Sequence, residues 1–170
     1  LSYGLNHGEP QKVMVYDLGG GTFDVSIIEI GEGIIEVLAT SGNNHLGGDD
    51  FDERLVQGIV RKFKDKTRVD LTKDFAAMQR IREAAERAKK ELSTSDTTHI
   101  MQPFITQVKV EALHLDMVIT RQEFESMISD LIQKTEDPVR NALNDAHISP
   151  AQLGRVLLVG GSTRVPAVQR

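Results

Sequence analysis

Three consecutive glycines between acidic residues form the segment best suited to chemistry, in the run Asp17-Leu-Gly-Gly-Gly-Thr-Phe-Asp24. Glycine tolerates positive φ, so such a run can turn several backbone N–H groups toward one phosphate. The flanking carboxylates could hold Mg²⁺ through its waters or orient an attacking water. Three glycines alone are more often an ordinary hairpin turn. The addition of Asp17, Thr22 and Asp24 favours a phosphate site.

A second glycine pair follows an apolar stretch, in the run Val159-Gly-Gly-Ser-Thr-Arg164. A buried strand that ends in glycines before a helix leaves room for a ligand to approach the backbone. Arg164 could stack on a base through its planar guanidinium. An ordinary strand–helix connection explains this stretch equally well when it is taken alone.

Four polar residues share one predicted helix face, because they are spaced at i, i+3, i+4 and i+7: Glu86, Lys89, Lys90 and Ser93. This polar stripe could line a cleft and hydrogen-bond a ribose and a base. A solvated face with a Glu86–Lys90 ion pair is the more common meaning of such spacing.

Gly47 and Gly48 precede an acidic helix start and could form another turn close to phosphate. A hinge with Asp49 or Asp50 as the helix N-cap is the interpretation we favour here. The histidines show no metal-ligand spacing and are interpreted as structural.

Alternating apolar residues predict strands, with a glycine hairpin between the first two and Phe23, Val25 and Ile27 on one face of the second. A short antiparallel pair is expected within 100–119. The apolar run Val156–Val159 predicts a strand buried on both faces. The first three strands are predicted at 12–17, 22–30 and 34–41.

Helical periodicity follows Asp50, where Phe51, Leu55, Ile59 and Phe63 recur at four-residue spacing. A charged loop is predicted at 65–73, and a helix at 75–93 with an apolar stripe of Met78, Ile81, Ala85, Ala88 and Leu92. Thr120–Glu123 is a capping box that opens another helix. Pro138 either kinks that helix or begins a new one. Further helix starts are predicted at Ser149–Gln152 and near Pro166.

Composition narrows the classes of function. The 170 residues carry a net charge of -5, which argues against a nucleic-acid or anionic-membrane surface. The chain has no cysteine, so disulfides and thiolate sites are excluded. Its longest apolar runs are far too short for a membrane span, and no leader is visible. We therefore expect a cytoplasmic protein, and a start at Leu1 without methionine suggests a piece of a longer one.

Taken together, these motifs resemble the seventy-kilodalton heat-shock chaperones over nearly the whole chain. The segment Gln102–Gln107 is more similar to bacterial DnaK-type members than to eukaryotic cytosolic ones. Residues 107–115 differ from the usual bacterial sequence. The matching segments are Asp17–Ser26 for a phosphate motif, His45–Asp52 for the hinge, Arg82–Ser93 for the adenosine-contacting helix and Leu157–Gln169 for the adenosine motif.

The resemblance implies an α/β fold, namely the second lobe of an actin-like (ribonuclease-H-like) ATPase domain. It further implies a sheet base at 1–46 and 123–170, with an inserted α+β cap subdomain at 47–122. The lobe would bind ATP or ADP with Mg²⁺ in an interlobe cleft. Partners of the parent protein would be a nucleotide-exchange factor on the cap, a co-chaperone and peptide clients.

The resemblance also implies roles for individual residues. Asp17, Thr22 and Asp24 would form the catalytic cluster, with Asp17 near Mg²⁺ through water and Thr22 at a position where bacterial members can autophosphorylate. The residues predicted to bind nucleotide are Gly19, Gly20, Gly21, Thr22, Gly48, Glu86, Lys89, Lys90, Ser93, Gly160, Gly161, Ser162 and Arg164.

The resemblance places other parts of the ATPase outside this chain, so we expect the chain alone to hydrolyse ATP poorly or not at all. Two alternatives remain open at this stage. The chain could serve as a docking module for the exchange factor without turnover of its own. It could also be a lobe of another actin-like ATPase or of a sugar kinase, although the helix at Arg82–Ser93 argues against that.

Overall fold

The computed structural model describes residues 10–31, 33–164 and 166–169, and the fold is a mixed α/β arrangement. The chain divides into two compact units. Among the described residues, the first unit comprises 10–48, 131–164 and 169, and the second comprises 49–130 and 166–168.

Six strands and five helices follow one another along the described part of the chain. Short 3-10 turns lie at Leu71–Lys73, Pro150–Gln152 and Gly161–Arg164. In chain order the elements are β1 (Gln11–Leu18), β2 (Phe23–Gly31), β3 (Ile34–Asn43), α1 (Gly48–Thr67), α2 (Phe75–Glu91), β4 (Thr97–Val108), β5 (Glu111–Thr120), α3 (Arg121–Gln133), α4 (Glu136–Asp145), β6 (Arg155–Val159) and α5 (Pro166–Gln169).

The first unit contains a four-stranded sheet in the order β3-β2-β1-β6. β2 pairs antiparallel with both β1 and β3, which confirms the predicted hairpin and the third strand. Phe23, Val25 and Ile27 are completely buried on one face of β2, as their alternation predicts. β6 runs parallel to β1 and places residues 155–159 beside residues 13–17.

The expectation that β6 is buried on both faces is wrong. Half of the surface of Val156 is exposed, and Leu158 and Val159 are also exposed. Within the part of the chain that the structure describes, β6 is an edge strand whose one neighbour is β1. A run of apolar residues predicts a strand but does not report how many strands lie beside it.

The second unit contains the helical stripes predicted from periodicity. Phe51, Leu55, Ile59 and Phe63 are buried on α1. The stripe on α2 is buried as well, and its members are Met78, Ile81, Ala85 and Ala88, followed by Leu92 just after the helix. Helix α1 extends to Thr67, so the loop predicted at 65–73 is shorter than expected and includes a 3-10 turn.

The antiparallel pair predicted as short is instead a hairpin of two long strands, β4 with 12 residues and β5 with 10. Its register shifts between Gln102 and Thr106, and the intervening Phe104 has a φ of 53°. A bulge interrupts the alternation of apolar and polar residues, and the sequence pattern therefore underestimated the length of β4.

Pro138 lies in the first turn of α4, which decides between the two alternatives in favour of a new helix. Ser149–Gln152 forms a capped 3-10 turn rather than the start of a longer helix. No helix in the described part of the chain is long and apolar enough to cross a membrane.

The predicted capping box is present at the start of α3. The N–H of Glu123 donates to Thr120 Oγ1 at 3.1 Å, and the N–H of Thr120 donates to Glu123 Oε1 at 3.2 Å. Lys62 of α1 donates to the other carboxylate oxygen at 2.7 Å. These bonds, with the Lys62 contact foremost, lower the pKa of Glu123 because they favour its charged form.

We predict that Glu123→Ala lowers the free energy of unfolding of the second unit by about 1 kcal/mol at neutral pH, the typical cost of a lost cap. Glu123→Gln loses less, since its amide oxygen keeps the box while the ion pair is lost. The ion pair adds little because the Glu123 side chain is 38% exposed. Chemical denaturation measures the difference.

A lowered folded-state pKa means that this stability is present above the unfolded pKa of glutamate. It is lost as the pH falls through the folded value. The difference in free energy of unfolding between the natural chain and the Glu123 variants must therefore shrink in acid. Glu111→Gln, which removes a charge from an exposed position of the same unit, serves as the control. A difference that is independent of pH would contradict this account.

Candidate functional site

The triple-glycine turn joins β1 to β2 in the first unit. The N–H of Gly19 donates to the carbonyl of Thr22 at 3.0 Å and closes the turn. The residue pair nearest the turn is Leu18 with Phe23, and the next pair along the two strands is Asp17 with Asp24. The turn is anchored by the buried Leu18 and Phe23, so the glycines project beyond the end of the sheet.

The register places Asp17 directly opposite Asp24 on one face of the sheet. Directly opposed side chains in an antiparallel pair have Cβ atoms about 5 Å apart, and like charges in such a pair destabilise the strands. A pair of carboxylates in this position is therefore unfavourable for folding alone. It suits a cation or a proton-transfer role at the glycine turn.

A second glycine segment approaches the turn from the loop after β3. The N–H of Gly48 donates to the carbonyl of Gly19 at 2.7 Å. A Cβ atom at Gly47 would lie 2.3 Å from the carbonyl oxygen of Gly20, so only glycine fits there. The predicted N-cap role of Asp49 or Asp50 is wrong: α1 begins at Gly48, and both acids lie in its first turn.

The third segment comes from the end of β6. Gly160 has a φ of 95°, and a Cβ there would lie 2.3 Å from the carbonyl oxygen of Leu18. The hydroxyl of the buried Ser162 donates to the carbonyl of Gly19 at 3.3 Å. Thr163 donates to Gly160 at 2.7 Å and holds the turn in shape.

Two glycines of this cluster face open space. Cβ atoms built at Gly21 and Gly161 meet nothing within 4 Å among the described residues. The backbone at both positions can therefore be approached by a ligand. The structure thus brings together Asp17, Asp24 and the loops around Gly19, Gly48 and Gly160.

The donor set fits magnesium better than a tightly caged metal. Among the residues that the structure describes, no three histidine, aspartate or glutamate side chains form a metal cluster. Mg²⁺ keeps several of its waters and needs only one or two carboxylates beside phosphate oxygens. The Asp17–Asp24 pair can supply these.

In the second unit, Glu86, Lys89 and Lys90 of the polar stripe lie on α2, whereas Ser93 follows the end of that helix. Glu86 and Lys90 form the i, i+4 ion pair at 3.4 Å and are exposed. Lys89 is more enclosed and pairs with Asp52 of α1 at 2.8 Å. Ser93 Oγ lies 3.5 Å from the carbonyl of Lys89. The side chain of Arg164 lies outside what the structure describes.

The sequence did not indicate Gly42, and it placed Asp52 only at the end of the segment that resembles the hinge. It offered Gly47 as part of a turn close to phosphate or, preferably, of a hinge. Asp52 is 37 positions before Lys89, so no helical spacing connects them. Gly42 lies opposite Asp24, where a Cβ would be 2.9 Å from the Asp24 carboxylate. The signal for Gly47 was its place in a glycine pair, which does not say which backbone it approaches.

Comparison with known proteins places this geometry in context. The family model described as "Hsp70 protein" matches residues 1–170. The chain belongs to the Hsp70 family. It is 56% identical over its full length to proteins named chaperone protein DnaK from Thermotoga petrophila, Thermotoga neapolitana and Thermotoga maritima. This supports the bacterial DnaK type, and the chain spans 29% of the length of these relatives.

We predict that two sets of glycine substitutions in this Hsp70 chain differ in their effect on stability. Gly47→Ala and Gly160→Ala lower the free energy of unfolding of the first unit. The loss at Gly160 exceeds about 1 kcal/mol, the cost of forcing an alanine into a left-handed conformation. Gly21→Ala and Gly161→Ala leave stability within about 0.5 kcal/mol of the natural chain.

Thermal and denaturant unfolding, followed for the first unit, measure the four variants side by side. Equal losses in all four would contradict the distinction between buried close approaches and open positions.

Proposed function

We propose that this chain forms the nucleotide-binding lobe of an Hsp70 chaperone ATPase and binds ATP or ADP with Mg²⁺. The observation that carries the proposal is the convergence of three glycine segments on the carbonyl of Gly19, with Asp17 and Asp24 beside them. Open backbone at Gly21 and Gly161 leaves room for phosphate. Backbone N–H groups in such a turn form an anion-binding nest.

The phosphate side of the proposed site uses Gly19, Gly20, Gly21 and Thr22, with Gly48 and Gly160–Ser162 from the neighbouring loops. The adenosine side uses the polar stripe of α2 together with Arg164. Asp17 would hold Mg²⁺ through water, and the bound metal would neutralise charge on the phosphates. Asp24 and Thr22 complete the predicted catalytic cluster.

The architecture that we propose is a lobe of the actin-like ATPase fold. Residues 1–46 and 123–170 would form its sheet base, and 47–122 the inserted cap. The division of the contacts into two units, one of which contains 49–130, supports this proposal. The four-stranded mixed sheet of the first unit also supports it.

We further propose that the whole protein hydrolyses ATP in the cytoplasm and couples nucleotide state to peptide binding and release under stress. This chain alone would hydrolyse ATP poorly, since phosphoryl transfer depends on groups positioned on all sides of the phosphates. Thr22 is a candidate for autophosphorylation. A nucleotide-exchange factor on the cap, a co-chaperone and peptide clients are the partners that family membership suggests.

Calorimetric titration of Mg·ADP into the chain tests the site. We expect binding that weakens by about tenfold in Gly21→Ala, an effect of about 1.4 kcal/mol, because the added methyl group stands where a phosphate would approach. The Lys89→Ala, Ser93→Ala double variant tests the adenosine side and should weaken binding comparably.

Gln79→Ala, at an exposed position of α2 ten residues before Lys89 and so about 15 Å from it along the helix, is the matched control and should bind like the natural chain. Since Gly21→Ala is expected to fold normally, a lost signal there reports the site rather than unfolding. Absence of heat with the folded natural chain would overturn the proposed function for this lobe.

Magnesium alone gives a second, independent test. Asp17→Asn should raise the free energy of unfolding of the first unit by up to about 1 kcal/mol without metal, because it relieves the repulsion across the strand pair. Added Mg²⁺ should stabilise the natural chain more than either Asp17→Asn or Asp24→Asn. An equal response of all three chains to Mg²⁺ would argue against a metal role for this pair.

A further inference from the structure

Lys89 is the enclosed member of the polar stripe on α2. Its ammonium lies 2.8 Å from Asp52 Oδ1, and only 14% of the Lys89 side chain and 21% of the Asp52 side chain are exposed. The neighbouring Glu86–Lys90 pair has side chains that are 57% and 71% exposed. The two ion pairs of this region therefore differ in how strongly their geometry is defined.

The backbone on both sides of the enclosed pair is held by the core. Asp52 follows Phe51, which is completely buried on α1. Lys89 follows Ala88, which is 3% exposed on α2. Both Cα positions are therefore constrained by packing, and the ion pair joins two helices rather than two loops.

Enclosure matters because a lysine is a poor ligand when it is free to move. Its ammonium is a point charge on a flexible four-carbon stem, and ordering such a side chain on binding costs entropy. A carboxylate that already holds the ammonium removes most of that cost before a ligand arrives. An ammonium has three N–H groups, so it can donate to a carboxylate and to other acceptors at the same time.

We infer that Asp52 is a positioning residue of the nucleotide site, which acts by holding the ammonium of Lys89 in place for the ribose and base. This inference rests on the proposed function, and it concerns a residue that the resemblance places only at the end of the hinge segment. Asp52 does not itself need to touch the nucleotide.

The charges around Asp52 make the pair sensitive to pH. Burial raises the pKa of Asp52, Lys89 opposes that rise, and the carboxylates of Glu86 on α2 and Asp49 on α1 add to it. The carboxylate of Asp52 therefore becomes neutral at a higher pH than an ordinary aspartate. Its hold on Lys89 should weaken as the solution becomes acidic.

A double-mutant cycle in Mg·ADP binding tests the inference. We expect Asp52→Asn to weaken binding by about tenfold at neutral pH, the lower end of the loss seen when a residue that orients a metal ligand is removed. In a Lys89→Ala background the same change should alter affinity by less than about twofold, because Asp52 acts through Lys89. Independent, additive losses would overturn the inference.

The pH profile separates positioning from a purely structural role. The affinity ratio between the natural chain and Asp52→Asn should fall toward one as the pH is lowered from neutral, because neutral Asp52 comes to resemble asparagine. Taking the ratio at each pH cancels the titration of the nucleotide itself. Asp52→Glu, which keeps the carboxylate, should restore part of the affinity.

Asp130→Asn is the matched control, since Asp130 pairs with Arg54 at 2.7 Å in the same unit. That substitution removes the same charge and breaks an ion pair away from the stripe, so its affinity should be unchanged. If Asp52→Asn loses stability but binds like this control, Asp52 is merely structural. If the natural chain itself binds no nucleotide, the proposed function fails, and the role of Asp52 fails with it.

Discussion

The carbonyl of Gly19 is the acceptor on which the arrangement of the first unit depends. It accepts the N–H of Gly48 at 2.7 Å and the hydroxyl of Ser162 at 3.3 Å. These donors come from segments far apart in the chain, so one oxygen draws three loops together. The approach is possible because Gly47 and Gly160 lack a Cβ that would strike the neighbouring backbone.

The same turn carries a feature that folding alone does not favour. Asp17 and Asp24 lie opposite each other in the strand pair one position before the end of the hairpin, and like charges in that position oppose strand pairing. The surrounding strand is strong enough to tolerate them, since Leu18 and Phe23 are fully buried in the next rung. Like charges that the surrounding fold holds close together are typical of functional sites.

In the second unit, burial rather than charge count distinguishes the members of the polar stripe. Glu86 and Lys90 form an exposed pair that contributes little. Lys89 and Asp52 are enclosed, and an enclosed charge must keep its partner, because leaving either one unpaired is costly. This difference in burial is the reason for inferring that Asp52 positions the ammonium of Lys89.

The sequence by itself determined most of the elements, because their signals are local. The hairpin around Gly19–Gly21, the buried stripe of α2 and the Thr120–Glu123 capping box follow from alternation, helical period and cap chemistry. The motifs also indicated the family. Local signals failed where neighbours decide the outcome, as for the exposed edge strand β6 and for the start of α1 at Gly48.

Only the tertiary structure decided which residues meet. The pairing of Asp17 with Asp24 depends on strand register, and the contact of Gly48 with Gly19 depends on a loop that returns to the first turn. The ion pair of Asp52 with Lys89 joins two helices, and no periodicity of the sequence relates these two positions. Such contacts depend on how whole helices and strands pack together. The local sequence pattern does not give the distance between residues that lie on different elements.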